Sequence, residues 1–229
     1  MADLLELTPH IFLVKLMNAT RTNIYLVREA GGDTLIDPGP VGTAPVILGL
    51  DRRGEIRLQR ILVTHAHPAH AGSAARIMRG TGVRVWVHPD DACYLDGREP
   101  PLLPKGRRGQ LMAALGRVVD LCPPVFRLEQ FQPGVPVGEL LPIATPGHTP
   151  GHVCLLHAGD GALISGDALL TDGSGPTLSP ANLSEDPARA RDSLAALRGL
   201  SFQHLLPGHG PPILHDAKQR VDAFLSRAS

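Results

Sequence analysis

The sequence predicts one compact domain of mixed helix and strand, α/β or α+β in class, and three observations carry that expectation. The 229 residues suit one large domain, spanning 1–229, better than two. Glycine (25) and proline (22) are scattered through an ordinary apolar fraction, which describes a folded chain with many turns rather than a disordered one. Four short apolar runs, rich in β-branched residues, each stop at Asp or His beside Gly, Pro or Thr. Continuous apolar runs of that length read as buried strands.

In chain order, strands are expected at residues 11–16 and 23–28, then at Thr34-Leu35-Ile36 running into Asp37-Pro38-Gly39. The next is Ile61-Leu62-Val63-Thr64 running into His65, followed by 83–87, 141–144 and 153–156. Two more run from Ala162-Leu163-Ile164-Ser165 into Gly166-Asp167 and from His204-Leu205-Leu206 into Pro207-Gly208-His209. Helices are expected at 71–79, 187–198 and 215–227; Asp186-Pro187 offers an N-cap followed by proline at the first helical position. Residues 90–133, rich in Pro, Gly and Arg, read as a connection between halves, with a helix near 110–119, and as a lid. No repeat and no low-complexity tract stands out.

Composition removes several classes of function. Acidic and basic residues balance at 22 each and no basic stripe suits a phosphate backbone, so nucleic acid is not an expected partner. One Trp, two Tyr and five Phe are too few for stacking platforms. Cys93, Cys122 and Cys154 form no CxxC and are odd in number, which argues against disulfides or a zinc–thiolate site and fits a reducing cytoplasm. The opening MADLLELTPHIF carries acids where a signal peptide carries bases, and no stretch reaches membrane-spanning length. A soluble cytoplasmic protein with a small-molecule substrate is expected. Neither a G-x-S-x-G elbow nor a Walker-type glycine loop is present, so a serine hydrolase or P-loop NTPase has no support.

The strongest signal is Thr64-His65-Ala66-His67-Pro68-Ala69-His70. In an extended segment residues two apart face the same way, so His65 and His67 can close on one ion. Pro68 is expected to stop the strand and His70 to lie where a helix begins, its ring turned back to the same cavity. Three imidazoles on one short loop after an apolar strand suit zinc or iron better than they suit packing. His148 in a Thr-Pro-Gly-His loop, Asp167 at a strand end and His209 at another extend the set to six N and O ligands. A carboxylate buried at a strand end needs a partner. His88 reads as structural or surface, His152 as packing behind His148, His10, His157, His204 and His215 as ordinary, and Cys154 as a small core residue. Arg107 and Arg108 are candidates for binding an anionic substrate from the lid.

Strand–HxHxxH, a GH loop, a GD and a late GH, in this order, resemble the metallo-β-lactamase superfamily, from Asp37-Pro38-Gly39 to Pro207-Gly208-His209-Gly210. The resemblance implies a four-layer αβ/βα sandwich with two mixed β-sheets flanked by helices, and metals at one edge between the sheets. By motif, His65, His67 and His148 resemble the ligands of a first metal, and His70 and His209 those of a second. Asp167 resembles the carboxylate bridging both, and Asp37 a carboxylate that orients a ligand histidine. The long insert of the family's RNA-processing nucleases is absent.

The family motif is HxHxDH, and its aspartate falls on Ala69. That aspartate ligates the second metal and handles a proton of the attacking water; alanine does neither. Three readings stand: a natural member with one tight and one weak metal, a variant made to disable the enzyme, or a member that has kept binding without catalysis. The resemblance implies one or two zinc ions, with iron or manganese as substitutes, and hydrolysis of a small ester, thioester, lactone or amide through a metal-bound hydroxide. Asp167 would position metal and water as the catalytic carboxylate. The alternatives are a mononuclear iron dioxygenase of the persulfide dioxygenase type, using His65, His148 and Asp167, and a binding protein.

Overall fold

A computed structural model of the chain describes residues 3–15, 22–116 and 120–227. Strands β1 (Asp3–Glu6), β2 (Ile11–Lys15), β3 (Tyr25–Glu29), β4 (Gly32–Ile36), β5 (Leu58–Leu62), β6 (Arg84–Val87) and β7 (Leu128–Gln130) form a seven-stranded sheet in chain order. Pairing is antiparallel from β1 to β4 and parallel from β4 to β7. The second sheet contains β8 (Leu140–Ala144), β9 (Val153–His157) and β10 (Ala162–Gly166). A separate hairpin of β11 (Leu170–Thr171) and β12 (Pro176–Thr177) follows. The second sheet is completed by β13 (His204–Pro207) and β14 (Ile213–Leu214), in the order β14-β13-β10-β9-β8. The helices are α1 (Ala44–Arg52), α2 (Pro68–Ala71), α3 (Ala74–Thr81), α4 (Pro89–Leu95), α5 (Arg107–Gly116), α6 (Pro187–Ser193) and α7 (Ala217–Arg227).

The apolar runs are continuous because both faces of each sheet are covered. Side chains alternate across a strand, so Leu26, Leu35, Ile61 and Val85 point to one side of the first sheet, against Ile47 and Leu50 of α1 and Ile77 of α3. Their neighbours Tyr25, Ile36 and Leu62 point the other way and meet Leu155, Ile164 and Leu206 of the second sheet. The outer face of that sheet, with Leu156, Leu163 and Leu205, is covered by Leu194 and Leu197 of a 3₁₀ turn and by Val221 and Leu225 of α7. Three apolar seams therefore separate four layers, and the α/β sandwich is the observed architecture. Each fully buried Leu or Ile in the middle seam contributes about 1.5–3 kcal/mol.

Several expected elements change at their edges. The helix expected at 71–79 is two pieces, because the chain is held at Gly72-Ser73: Gly39 N donates to His70 O (2.8 Å) and Ser73 N to Gly39 O (2.9 Å). The helix at 187–198 becomes α6 plus the 3₁₀ turn Leu194–Leu197, with Asp186 capping as expected by accepting from Arg189 N at 2.9 Å. Helix α7 starts two residues late, since His215 and Asp216 adopt φ of 86° and 53°. Strand β5 ends at Leu62, so His65 and His67 stand on an irregular loop and Pro68 opens α2 instead of stopping a strand. Leu16, and Val119 at the end of the helix expected near 110–119, lie outside the described residues. The segment 90–133 holds more regular structure than expected: most of α4, then α5 and the edge strand β7. Among the described residues no helix is long and apolar enough to cross a membrane.

Candidate metal centre

Several loops and one short helix deliver the expected side chains to one place. His65 and His67 come from the turn after β5, His70 from α2, His148 from the β8–β9 loop, Asp167 from the end of β10 and His209 from the loop after β13. His65, His67 and His148 bring one ligand atom each within 4.8 Å of one another, and so do His70, Asp167 and His209. His148 Nε2 lies 3.0 Å from His67 Nδ1, and His70 Nε2 lies 3.2 Å from His209 Nε2. Asp167 spans both groups: Oδ2 is 3.5 Å from His148 Nε2 and 3.4 Å from His209 Nε2, and Oδ1 is 3.4 Å from His70 Nε2. His65 Nε2 stands 4.0 Å from Asp167 Oδ2.

These separations match ligands sharing an ion. A tetrahedral cation with bonds of about 2.0–2.1 Å sets its ligand atoms roughly 3.3 Å apart. Two atoms of the cluster, His65 Nε2 and Asp167 Oδ1, are buried with no hydrogen bond of good geometry among the described residues. Burying a polar atom unpaired costs about 1–3 kcal/mol, more when it is charged, and native structures rarely accept it. The donor set of imidazoles and one carboxylate is that of zinc or iron, so the residues fit a divalent metal.

The electrostatics of the first three rings agree. Burial, reinforced by the other rings, holds His65 and His148 well below the usual histidine range and His67 at about 4, leaving neutral imidazoles with free lone pairs. Burial would lower His70 as well, but Asp167 and Asp37 outweigh it and hold that ring at about 10. Burial pushes the Asp167 carboxyl up, while His70, His209 and His65 more than reverse this and keep it ionised.

A second layer aims the ligands. Asp37 takes a left-handed backbone (φ 51°), a conformation aspartate tolerates. Its carboxylate accepts from Thr64 N (2.8 Å) and Thr64 Oγ1 (2.7 Å) and meets His70 Nδ1 at 2.9 Å. Because Thr64 Oγ1 gives its proton to Asp37, it accepts from His65 Nδ1 at 3.0 Å, which leaves His65 Nε2 for an ion. His148 Nδ1 meets Ser184 Oγ at 3.1 Å. His152 Nε2 accepts from Asp167 N at 3.0 Å, so this ring orients the carboxylate through its backbone and does more than pack behind His148. Gly208 has no room for a side chain, because a Cβ there would stand 2.3 Å from Asp167 Oδ1. Thr64 and Ser184 were not among the expected site residues; nothing in a lone Ser184 signals a contact 36 positions away in sequence.

A cavity of about 90 Å³ opens over the cluster, walled by Pro68, Ala69, Leu102, Pro104, Met112 and Leu183. Leu102, Pro104 and Met112 belong to the segment expected to cover the site. Ala69 sits at the cavity wall without a carboxylate. Arg107 is exposed and does not line the cavity, and the side chain of Arg108 lies outside the described residues. His88 caps α4, accepting from Asp90 N, as its structural reading implied.

Residues 17–220 match the metallo-beta-lactamase superfamily. The chain is 33% identical over 218 residues to a probable metallo-hydrolase, YflN, of Bacillus subtilis (strain 168), covering 83% of this chain and 81% of that protein. It is 31% identical over 186 residues to a hydroxyacylglutathione hydrolase of Acidiphilium cryptum (strain JF-5), covering 81% of this chain but only 63% of the relative. Among solved structures, TTHA1623 in a di-iron-bound form superposes with a TM-score of 0.70 at 28% identity, over 89% of this chain and 95% of the other.

Proposed function

The chain belongs to the metallo-β-lactamase superfamily, and on that premise we propose that this metallo-hydrolase cleaves a small, mainly apolar thioester, ester or lactone. The observation that carries the reading is the pair of buried, unpartnered atoms, His65 Nε2 and Asp167 Oδ1, inside a ring of imidazole nitrogens. His65, His67 and His148 would hold a first ion, zinc by their donor chemistry, with iron or manganese as substitutes. His70, His209 and a share of Asp167 would hold a weaker second one, since Ala69 adds no anion. A divalent cation there would supply a Lewis acid for a carbonyl oxygen and would bring the pKa of its water to about 7.

The chain's own groups then divide the remaining work. Asp167, fixed as an anion, orients the water and acts as the catalytic carboxylate. Pro68, Leu102, Pro104, Met112 and Leu183 exclude bulk water and hold an apolar group beside the carbonyl. Among the described residues no Lys, Tyr or Glu lines the cavity, its histidines are taken up as ligands in this reading, and Ala69 has no proton to give. The favoured leaving group is therefore one that departs without a protein acid. A thiol, with a pKa of about 8.5, leaves as its anion; an amine does not. The acyl substrate named for the Acidiphilium relative supports the thioester end of this range. The free cysteines Cys93, Cys122 and Cys154 support a reducing, cytoplasmic setting.

The test is turnover by zinc-loaded protein on matched thioester, aryl ester, lactone and amide substrates. Thioester cleavage well above amide cleavage is expected. Oxygen uptake with a glutathione persulfide and no hydrolysis would replace the reading with an iron dioxygenase. Tight metal binding without turnover would leave a binding protein.

A further inference from the structure

We infer that Asp91, a carboxylate outside the ligand set, is a positioning residue that fixes the first metal site by clamping its two ligand loops together. The inference rests on the metal-centre reading above. Asp91 lies in the first turn of α4 and is fully buried. Its Oδ2 accepts from Ala66 N at 2.8 Å and from Thr149 Oγ1 at 2.7 Å, and its Oδ1 accepts from Gly151 N at 2.7 Å. Ala66 is the residue between His65 and His67, and Thr149 is the residue after His148. One rigid group thus spans the two loops whose rings meet at His148 Nε2 and His67 Nδ1, 3.0 Å apart.

The chemistry of the residue is specific to this task. Burying a carboxylate costs several kcal/mol unless its oxygens are satisfied, and no Lys or Arg pairs with Asp91 among the described residues. What offsets the burial is three short, charge-assisted hydrogen bonds. Burial raises the Asp91 carboxyl, and the bonds from Thr149, Gly151 and Ala66 work against that rise. Only the ionised group offers acceptors alone to three converging donors; an amide would turn its NH₂ toward at least one of them. The clamp also explains the second glycine of Thr145-Pro146-Gly147-His148-Thr149-Pro150-Gly151. A Cβ at Gly151 would stand 2.8 Å from Asp91 N and 2.9 Å from both Asp91 Oδ1 and His88 Nδ1, so the approach leaves no room for a side chain. The opposite end of the clamp is anchored because His88 caps the same turn of α4.

The experiment compares Asp91→Asn, Thr149→Val and Thr149→Ser with the parent protein, each loaded with metal. Zinc affinity is read by competition with a chromogenic chelator, and ligand geometry by the visible spectrum of the cobalt(II) form. Asp91→Asn should lower zinc affinity about 10–100-fold, the usual effect of removing a group that orients a ligand, and change the cobalt spectrum. Thr149→Val, which removes one of the three bonds, should show a smaller loss in the same direction, and Thr149→Ser should restore parent behaviour. Should Asp91→Asn fail to fold, the Thr149 pair decides alone. Parent-like affinity and spectrum in Thr149→Val, and in Asp91→Asn where it folds, would overturn the clamp. A parent protein that binds no zinc would overturn the metal-centre reading beneath it.

Discussion

Two groups of histidines and a carboxylate occupy different parts of the sandwich, and they behave in opposite ways. His10, His157 and Asp160 gather where the β1–β2 turn meets the β9–β10 turn, close enough together to suggest a metal site by residue type alone. Both carboxylate oxygens there are used. Asp160 takes hydrogen bonds from the Thr8 hydroxyl, from His10 N at 2.9 Å and from His10 Nδ1 at 2.7 Å, and its own N–H donates to His157 Nδ1 at 3.0 Å. This cluster is a finished brace between two sheets. The cluster of His65, His67, His70, His148, Asp167 and His209 is unfinished: its rings crowd one another and two buried atoms have no partner. Residue type does not separate the two; unmet hydrogen-bonding capacity in a dry place does.

The sharpest way to break this comparison is to remove one histidine from each. His148→Ala should empty the first site and lower kcat/KM on the order of a thousandfold. His10→Ala should leave metal content and turnover unchanged while costing at most about 1 kcal/mol. Elemental analysis beside steady-state kinetics reads both, and equal metal loss in the two variants would erase the distinction. Next in size is Ala69→Asp, which supplies the missing anion to the second set. Metal per chain should rise from near one toward two; a parent protein that already holds two would show that His70, His209 and Asp167 suffice.

The smallest effect concerns the brace itself. Burial pushes the Asp160 carboxyl up, but the hydrogen bonds from His10 and Thr8 prevail and hold it below its ordinary value. A folded-state pKa below the unfolded one means stabilisation that is complete above about pH 4 and fades as pH falls through the folded value. Asp160→Asn should therefore cost about 1–3 kcal/mol near pH 7 and progressively less under strong acid, by urea unfolding at several pH values. An unchanged cost at low pH would mean that the brace works through packing and not through charge.

Much of the fold and of the metal centre is legible in the amino-acid sequence, and for a definite reason. A strand buried on both faces must be apolar throughout, so Ile61–Val63 and Ala162–Ile164 announce themselves, and the polar residue that ends each run marks the rim. The parts that stay hidden are those whose partners are distant in sequence. Strand β7 is three residues, two half-buried and one exposed, that pair with β6 but carry no apolar run. Helix α1 is announced only by Thr43 before it and Pro45 in its first turn, a signal that a reading led by apolar runs passes over. Asp91 falls in the stretch that reads as a connection and stands out only when Thr149 and Gly151 are brought to it. The HxHxxH run invites the simplest geometry, a straight strand, whereas the chain leaves the sheet at Leu62 and turns to present His65 and His67.

The candidate ligands are split between the two halves of the chain, with His65, His67 and His70 following strands of the first sheet and His148, Asp167 and His209 attached to the second. Neither half alone offers a complete coordination sphere. During folding, an ion's grip would thus come late, after a long-range closure that local contacts cannot replace. Once in place, such an ion would act as a non-covalent rivet across the middle seam, resisting separation of the sheets by an amount set by its free concentration relative to its dissociation constant. A chain ending before His209 would lack the last contributor from β13. Metal retention would then serve as a reporter of whether synthesis and docking had both run to completion.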